Sequence, residues 1–367
     1  MTVNVKISNL QFSVLVTNFL IGSSILLMPP AFAAHAKQDA WISAILGVGI
    51  GLLLVILYNA LGSSFPNMTL AEYSEKVLGK WIGKTVSLLF FSYFFLVSAL
   101  VLRNIGDFLV SYILDETPIQ AIEIIFLLVV FMAVWLGLET FSRTSEFFTP
   151  LIFLLFLIMV IFISPQVKLQ NIQPILEKGI KPIIRGSLPF IGTPCLELVA
   201  FLMIYPHVNI TKNTKKAFIV GYLIGGIFLI IVSLLTILVI GAPATASEIY
   251  PSYVLATKIN VGHFLQRIEA VVAILWFITI FFKLTICFYA SLLCLAQIFN
   301  LKDFRPLTLP LGMIMVVLSL VAYPNSAYFL TIIGSIWTPF ALAYGLFIPL
   351  LLLIVSKVRK MFHGKSY

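Results

Sequence analysis

The sequence predicts an all-α polytopic membrane protein of ten transmembrane helices, arranged as a five-plus-five inverted repeat with broken helices 1 and 6. Three observations predict it. Of 367 residues, 61% are hydrophobic and only 10% charged, too apolar for a soluble chain of this length. Apolar runs of roughly 20 residues, enough to cross a bilayer, lie near 10–34, 40–62, 84–114, 119–138, 147–164, 183–205, 217–241, 267–299, 307–323 and 327–355. Inside the first and sixth runs, helix-weakening residues fall where the bilayer midplane should be.

The first run carries Gly22-Ser23-Ser24-Ile25-Leu26-Leu27-Met28-Pro29-Pro30. Glycine lowers helix propensity by about 1 kcal/mol relative to alanine, and serine hydroxyls compete for backbone hydrogen bonds. Unpaired amides in hydrocarbon cost several kcal/mol each, so an interruption at this depth belongs in protein or against a wet cavity. Ala31-Phe32-Ala33 resembles a signal-peptide cleavage site, but the run is too long and Lys6 is its only basic flank, so it reads as a span.

The second run carries Gly47, Gly49 and Gly51, small residues that let helices approach closely in lipid. In the connection after it, Thr69 and Glu72 have capping-box spacing for a short helix along the inner surface. The long third run holds Arg103 and Asp107, spaced i, i+4 on one helical face. They read either as a self-neutralising pair near the outer end or as a gate over a central site. Leu138 to Glu146 reads as a charged cytoplasmic turn between the fourth and fifth spans.

The second interruption is Leu188-Pro189-Phe190-Ile191-Gly192-Thr193-Pro194-Cys195-Leu196-Glu197. Proline removes a backbone donor and strains the preceding turn. Two prolines around a glycine predict a break at the start of the second half, as in the first. Broken helices in corresponding positions mark inverted-repeat carriers, whose half-helix ends and freed backbone groups build substrate and ion sites. The chain thus reads as one integral membrane domain, 1–367, with repeat one about 10–164, repeat two about 183–355 and a basic cytoplasmic tail 356–367. Tyr250-Pro251-Ser252-Tyr253 reads as a lid or surface helix, and the ninth and tenth spans as packing elements.

The eighth run places Lys283 near the bilayer centre, which costs roughly 2.5 to 3.5 kcal/mol on insertion scales. Three readings stay open. Its ammonium replaces the sodium caged between the first and eighth helices of related architectures; it pairs with Glu197; or either group carries a coupling proton. Thr285 and Tyr289 share a face with i, i+4 spacing and offer two hydroxyls to a ligand, unless each bonds back to its own helix. The ligand-binding set is therefore Gly22, Ser23, Ser24, Ile25, Gly192, Thr193, Pro194, Glu197, Thr285 and Tyr289, with Lys283 as cation surrogate or coupling group and Arg103 and Asp107 as outer gate.

Lys and Arg crowd the connections that share a side with both termini, which predicts cytoplasmic termini. The net charge of +9 reads as topology and attraction to anionic lipid headgroups, not as a nucleic-acid surface. Cys287 and Cys294 lie seven residues apart on one helix, about 10.5 Å by helical rise, so no disulfide is implied. His35, His207, His263 and His363 lie in connections or the tail. No metal-ligand spacing, cofactor motif or activated nucleophile appears, and the chain does not read as an enzyme.

Ile21-Gly22-Ser23-Ser24-Ile25-Leu26 followed by Pro29, Lys37-Gln38-Asp39-Ala40-Trp41-Ile42 and Leu78-Gly79-Lys80-Trp81-Ile82-Gly83-Lys84 recur in order with Thr117-Pro118-Ile119, Gly137-Leu138-Glu139 with Arg143, Tyr250-Pro251 and Phe282-Lys283. Over nearly its whole length the chain resembles the spore germination permeases, GerAB-like B subunits of nutrient germinant receptors within the amino acid/polyamine/organocation (APC) superfamily. One departure concerns the sixth span, where the resemblance predicts an acidic residue directly after a Phe-Gly pair. Here Phe190 and Gly192 are separated, and Glu197 lies further on.

The resemblance implies a LeuT-like fold and a sensor on a transporter frame in the spore inner membrane, partnered by A and C subunits. A small germinant, an amino acid, is expected between the first, third, sixth and eighth spans. The competing expectation is an autonomous proton-coupled or sodium-independent amino acid or amine transporter.

Overall fold

The structure, a computed structural model, describes residues 6–209, 213–257 and 269–362. Lys212, Lys258, His263, Arg267, His363 and Lys365 lie outside the described residues, and with them part of the charge asymmetry and the end of the basic tail. Among the described residues nine helices are long and apolar enough to cross a membrane, and there is no β-strand. That tally joins Ser24–Ser64 into one run and leaves Asn9–Ile21 below spanning length.

In chain order the helices are α1 (Asn9–Ile21), α2 (Ser24–Ala36), α3 (Ala40–Ser64), the short α4 (Leu70–Leu78), α5 (Lys80–Tyr112), α6 (Ile119–Leu136) and α7 (Leu138–Ile163). The second half continues with α8 (Ile180–Phe190), α9 (Phe201–Ile204), α10 (Thr214–Ile240), α11 (Ala242–Ser247), α12 (Pro251–Thr257), α13 (Glu269–Ile298) and α14 (Thr308–Ala322). The last segment is α15 (Ser326–Ile332), α16 (Thr338–Leu342) and α17 (Ile348–Phe362), joined by wide π turns.

The first interruption is visible in the backbone. Ser8 and Gln11 form a capping box that starts α1, and the helix ends at Gly22, whose N–H still reaches Asn18 O at 2.9 Å while its backbone leaves the helical region. α2 restarts at Ser24. Pro29 inside it has no N–H, so the carbonyl of Ile25 lacks its helical donor. Ser252 of α12 supplies one, with Oγ 2.6 Å from Ile25 O, which ties the outer segment to the broken helix.

The second interruption takes a different form from the open break expected. α8 passes into a π turn over Ile191–Cys195, a tighter turn over Leu198–Ala200, and then α9. The helix is rewound rather than opened. A π turn adds one residue to the ring, which gives the Pro194 ring room and absorbs its missing donor without extended backbone.

A second correction concerns Leu138 to Glu146, which is the beginning of α7 and not a turn. Gly137, at φ 93, makes the reversal alone, in a region where a side chain would be strained. Glu139 and Arg143 then pair along the new helix at 2.6 Å. The Thr69–Glu72 capping box forms as expected, and Thr69 Oγ1 also donates to Gln297 Oε1 at the end of α13.

α1 lies along α10, α2 against α8, and α5 along α13, which packs helices of one half against those of the other. α13 is buried almost throughout from Phe282 to Cys294. Leu128, Met132, Leu157, Val317, Val321 and Ile354 face outward, an apolar belt that suits lipid and would be a liability in water. The molecule is an integral membrane protein built around a polar centre. Cys195, Cys287 and Cys294 are buried free thiols.

Candidate functional site

The centre is organised by Lys283. Its Nζ donates to Ser23 Oγ at 2.7 Å and pairs with Glu197 Oε2 at 2.7 Å, while the ammonium lies 5.3 Å from the Phe19 ring centroid. One cation therefore joins the break in the first segment, the rewound sixth segment and α13. Lysine and glutamate are both almost fully buried, 1% and 4% exposed, so neither charge is tolerable without the other.

Gly22 makes this possible. A Cβ added there would lie 2.9 Å from Lys283 Cδ and 3.0 Å from its Cβ, closer than carbon atoms pack. The glycine at the break is the floor across which the lysine stem runs. The break and the central lysine are two halves of one feature.

Around the pair lies a cavity of about 20 Å³ lined by Ser23, Asn104, Thr193, Glu197, Lys283 and an apolar wall that includes Phe329, Ile333 and Trp337. That is room for about one water, whereas sites for small organic ligands run from about 300 Å³ upward. The conformation is closed. The Thr193 hydroxyl is buried without a hydrogen-bond partner among the described residues, as is that of Ser24 beside the first break.

The expected set divides. Ser23, Thr193, Glu197 and Lys283 meet at the cavity, and Gly22 underlies it. Gly192 faces the other way. A Cβ there would lie 2.9 Å from the Cα of Thr338, and the Thr338 hydroxyl donates to Leu188 O at 3.0 Å. Ile25 is fully buried and contributes its carbonyl to Ser252; Pro194 shapes the π turn.

Thr285 and Tyr289 are not brought to the cavity. Thr285 Oγ1 donates back to Phe281 O at 2.7 Å. Tyr289 packs between Phe141 and Phe304 and lines a separate vestibule of about 430 Å³ with Thr69, Glu72, Glu139, His207 and Arg305. Six residues of helix separate Tyr289 from Lys283, about 9 Å of rise.

Arg103 and Asp107 pair at 3.0 Å, 12% and 8% exposed. The guanidinium lies 5.4 Å from the Tyr323 ring centroid, and Asp107 Oδ2 accepts from Ser326 at 3.1 Å. Tyr323 Oη donates to Asn104 Oδ1 at 3.1 Å, and Asn104 lines the cavity. The pair is thus one hydrogen-bonded step from the centre, through Tyr323 at the end of α14.

Sequence reasoning missed that last segment. Phe329, Ile333 and Trp337 form one wall of the cavity, whereas the tenth span reads as a packing element. The usable signal was Gly334-Ser335-Ile336-Trp337-Thr338-Pro339, a glycine, hydroxyls and a proline within one apolar run, as in the two breaks.

Residues 6–327 match the family described as spore germination protein, Spore_permease. Among curated proteins, the chain is 29% identical to spore germination protein KB of Bacillus subtilis (strain 168) over 98% of this chain and 97% of that one. Among solved structures it superposes on MhsT in complex with L-phenylalanine at TM-score 0.70, with 13% identity over 96% of this chain and 99% of that one. It also superposes on Mhp1, a nucleobase-cation-symport-1 family transporter solved closed with bromovinylhydantoin bound, at TM-score 0.68, with 13% identity over 99% and 80%. The fold is that of LeuT-type transporters.

Proposed function

The chain belongs to the spore germination protein family, and from that premise we propose that it is the nutrient-sensing B subunit of a germinant receptor. It binds a small germinant, an amino acid, at the Lys283–Glu197 centre and signals to A and C subunits in the spore inner membrane, with both termini on the core side. The whole chain acts as one membrane domain of two repeats, about 10–164 and 183–355, and performs no chemistry on its ligand.

The observation that carries this reading is the position of Lys283 Nζ, 2.7 Å from both Ser23 Oγ and Glu197 Oε2. In carriers of this architecture, the ends and freed backbone groups of broken helices receive the charged groups of substrate and coupling ion. A zwitterion offers a carboxylate to Lys283 and an ammonium to Glu197. It replaces a dry ion pair with two, so no lone charge is buried at any stage. The hydroxyls of Ser24 and Thr193, without hydrogen-bond partners among the described residues, supply hydrogen bonds nearby. MhsT, which shares the fold, is a complex with L-phenylalanine, which supports the amino acid class.

The closed cavity supports sensing. A ligand larger than a water enters only if the walls of the cavity, among them the last segment with Phe329 and Trp337, move apart. Occupancy then becomes a helix displacement that a neighbouring subunit reads. A fixed ammonium beside the first break also makes sodium unnecessary.

The test measures both activities. A strain lacking the gene is expected to lose its nutrient-triggered germination, and the purified protein in proteoliposomes is expected to show no net uptake of labelled amino acids. Uptake by the protein alone would replace this reading with that of an autonomous sodium-independent transporter.

A further inference from the structure

Outside the central site two buried carboxyl groups among the described residues are in no ion pair, Asp39 and Glu123; both oxygens of Asp39 accept from Leu176 N at 3.1 Å, whereas Glu123 on α6 has no backbone donor. It is fully buried. Its Oε2 lies 2.6 Å from Ser319 Oγ on α14, and its Oε1 has no hydrogen-bond partner among the described residues. Arg103 of α5 is the nearby cation, and it is already committed. Its Nε donates to Asp107 Oδ1 at 3.0 Å, its Nη1 points to Leu320 O at 3.5 Å, and its face covers Tyr323.

The hydrogen-bond inventory around Ser319 does not balance for an ionised Glu123. Ser319 Oγ lies 2.6 Å from Glu123 Oε2 and also 2.7 Å from Val316 O. A serine hydroxyl has one proton to donate. If Glu123 is a carboxylate, both neighbours are acceptors, and one of these short contacts holds no hydrogen. If Glu123 is a carboxylic acid, its Oε2–H donates to Ser319 Oγ, and Ser319 donates onward to Val316 O. Every short contact then carries one hydrogen, and the remaining Oε1 is a neutral carbonyl oxygen.

We propose that Glu123 is a proton-binding site, loaded in this closed conformation and donating through Ser319 to Val316 O. The charged groups that bear on it are Arg103 and Asp107, both from α5; the facing stretches of α7, α13 and α14 add none among the described residues. Two carboxyl groups therefore share one guanidinium. With the proton in place, Arg103 stays with Asp107, which holds Ser326 at the head of α15. When the proton leaves to bulk water, the bare Glu123 carboxylate competes for Arg103. The contacts that cover Asn104 and the cavity then loosen.

Infrared difference spectroscopy on the full chain in lipid nanodiscs tests this. At neutral pH a protonated-carboxyl C=O band is expected in the wild type. It should be absent in Glu123→Gln, weakened in Asp107→Asn as the freed Arg103 draws Glu123 toward its charged form, and shifted to higher frequency in Ser319→Ala as its hydrogen bond is lost. A wild-type spectrum that Glu123→Gln leaves unchanged, or a band that Ser319→Ala does not move, would overturn the proposal.

Thermal unfolding gives a second readout. A proton bound only in the folded state makes wild-type stability fall as pH rises. Glu123→Gln, which reproduces the shape and donor of the acid, should remove that slope. The same slope in both proteins would overturn the proposal.

Discussion

Lys283–Glu197 and Arg103–Asp107 are both buried ion pairs, yet they answer to different parts of the fold. Arg103 and Asp107 are four residues apart on α5, so the helix itself brings them together and no movement between segments separates them. Lys283 and Glu197 come from different segments, and Ser23, which shares the ammonium, lies 260 residues from Lys283 in sequence. That pair exists only while the first, sixth and eighth segments keep their present arrangement. A local pair stabilises one helix; a long-range pair reports the state of the bundle. On the proposed function the centre is the place where a ligand exchanges contacts for motion, with Arg103–Asp107 as its cover.

The sharpest way to break this contrast is to remove one partner of each pair. Lys283→Met and Glu197→Gln each leave the other group buried with no counter-charge, and each is expected to cost about 3–5 kcal/mol. Lys283→Met combined with Glu197→Gln removes both charges and should recover most of that loss, giving a coupling energy of about 2 kcal/mol or more. Unfolding midpoints in nanodiscs measure the cycle, and the nutrient response should be absent in all three proteins. A coupling near zero would mean that the two groups do not act as a pair.

The glycines sharpen the same comparison at smaller cost. Gly192→Ala drives a methyl toward the backbone of Thr338, which cannot give way without shifting α16, so a loss of about 1–3 kcal/mol is expected. Gly22→Ala meets methylenes of the Lys283 stem, which yield more easily, and a loss of about 1 kcal/mol is expected. Function should invert that order. Gly22→Ala displaces the ammonium and should shift the nutrient dose response, whereas Gly22→Leu should abolish it without preventing membrane insertion. An unchanged dose response in Gly22→Leu would remove the first break from the site.

The contrast between local and long-range order also explains what the sequence disclosed. Capping of α4 by Thr69 and Glu72, the Arg103–Asp107 pair, the weak point at Gly22 and the disturbance around Pro194 depend on residues within a turn or two, and all are readable. Glu197 is nameable as a partner of Lys283 because few buried charges exist to choose from. Periodicity alone fails where a face must be matched to a neighbour. Thr285 and Tyr289 do share a face, but only packing reveals that Tyr289 lies against Phe141 and Phe304, away from the centre. Gly192 belongs to a break, yet its open side is filled by Thr338. Glu123 lies in an apolar run with no nearby residue to explain it, because its partner Ser319 is 196 residues away.

The two local pairs include the weakest expected effect, and their ratio isolates burial from connectivity. Glu139–Arg143 has the same i, i+4 spacing as Arg103–Asp107 but is 47% and 70% exposed, so water and salt screen it. Glu139→Gln should cost no more than about 0.5 kcal/mol. Asp107→Asn keeps an acceptor for Ser326 but leaves Arg103 without its carboxylate in a mostly buried position, and about 1–2 kcal/mol is expected, below the cost of opening a fully buried pair. Thermal unfolding of both variants at low and high salt separates the causes, since the exposed pair should lose its small contribution in salt while the buried one keeps most of its own. Equal, salt-sensitive effects would place Arg103 and Asp107 in water and remove them as a cover over the cavity.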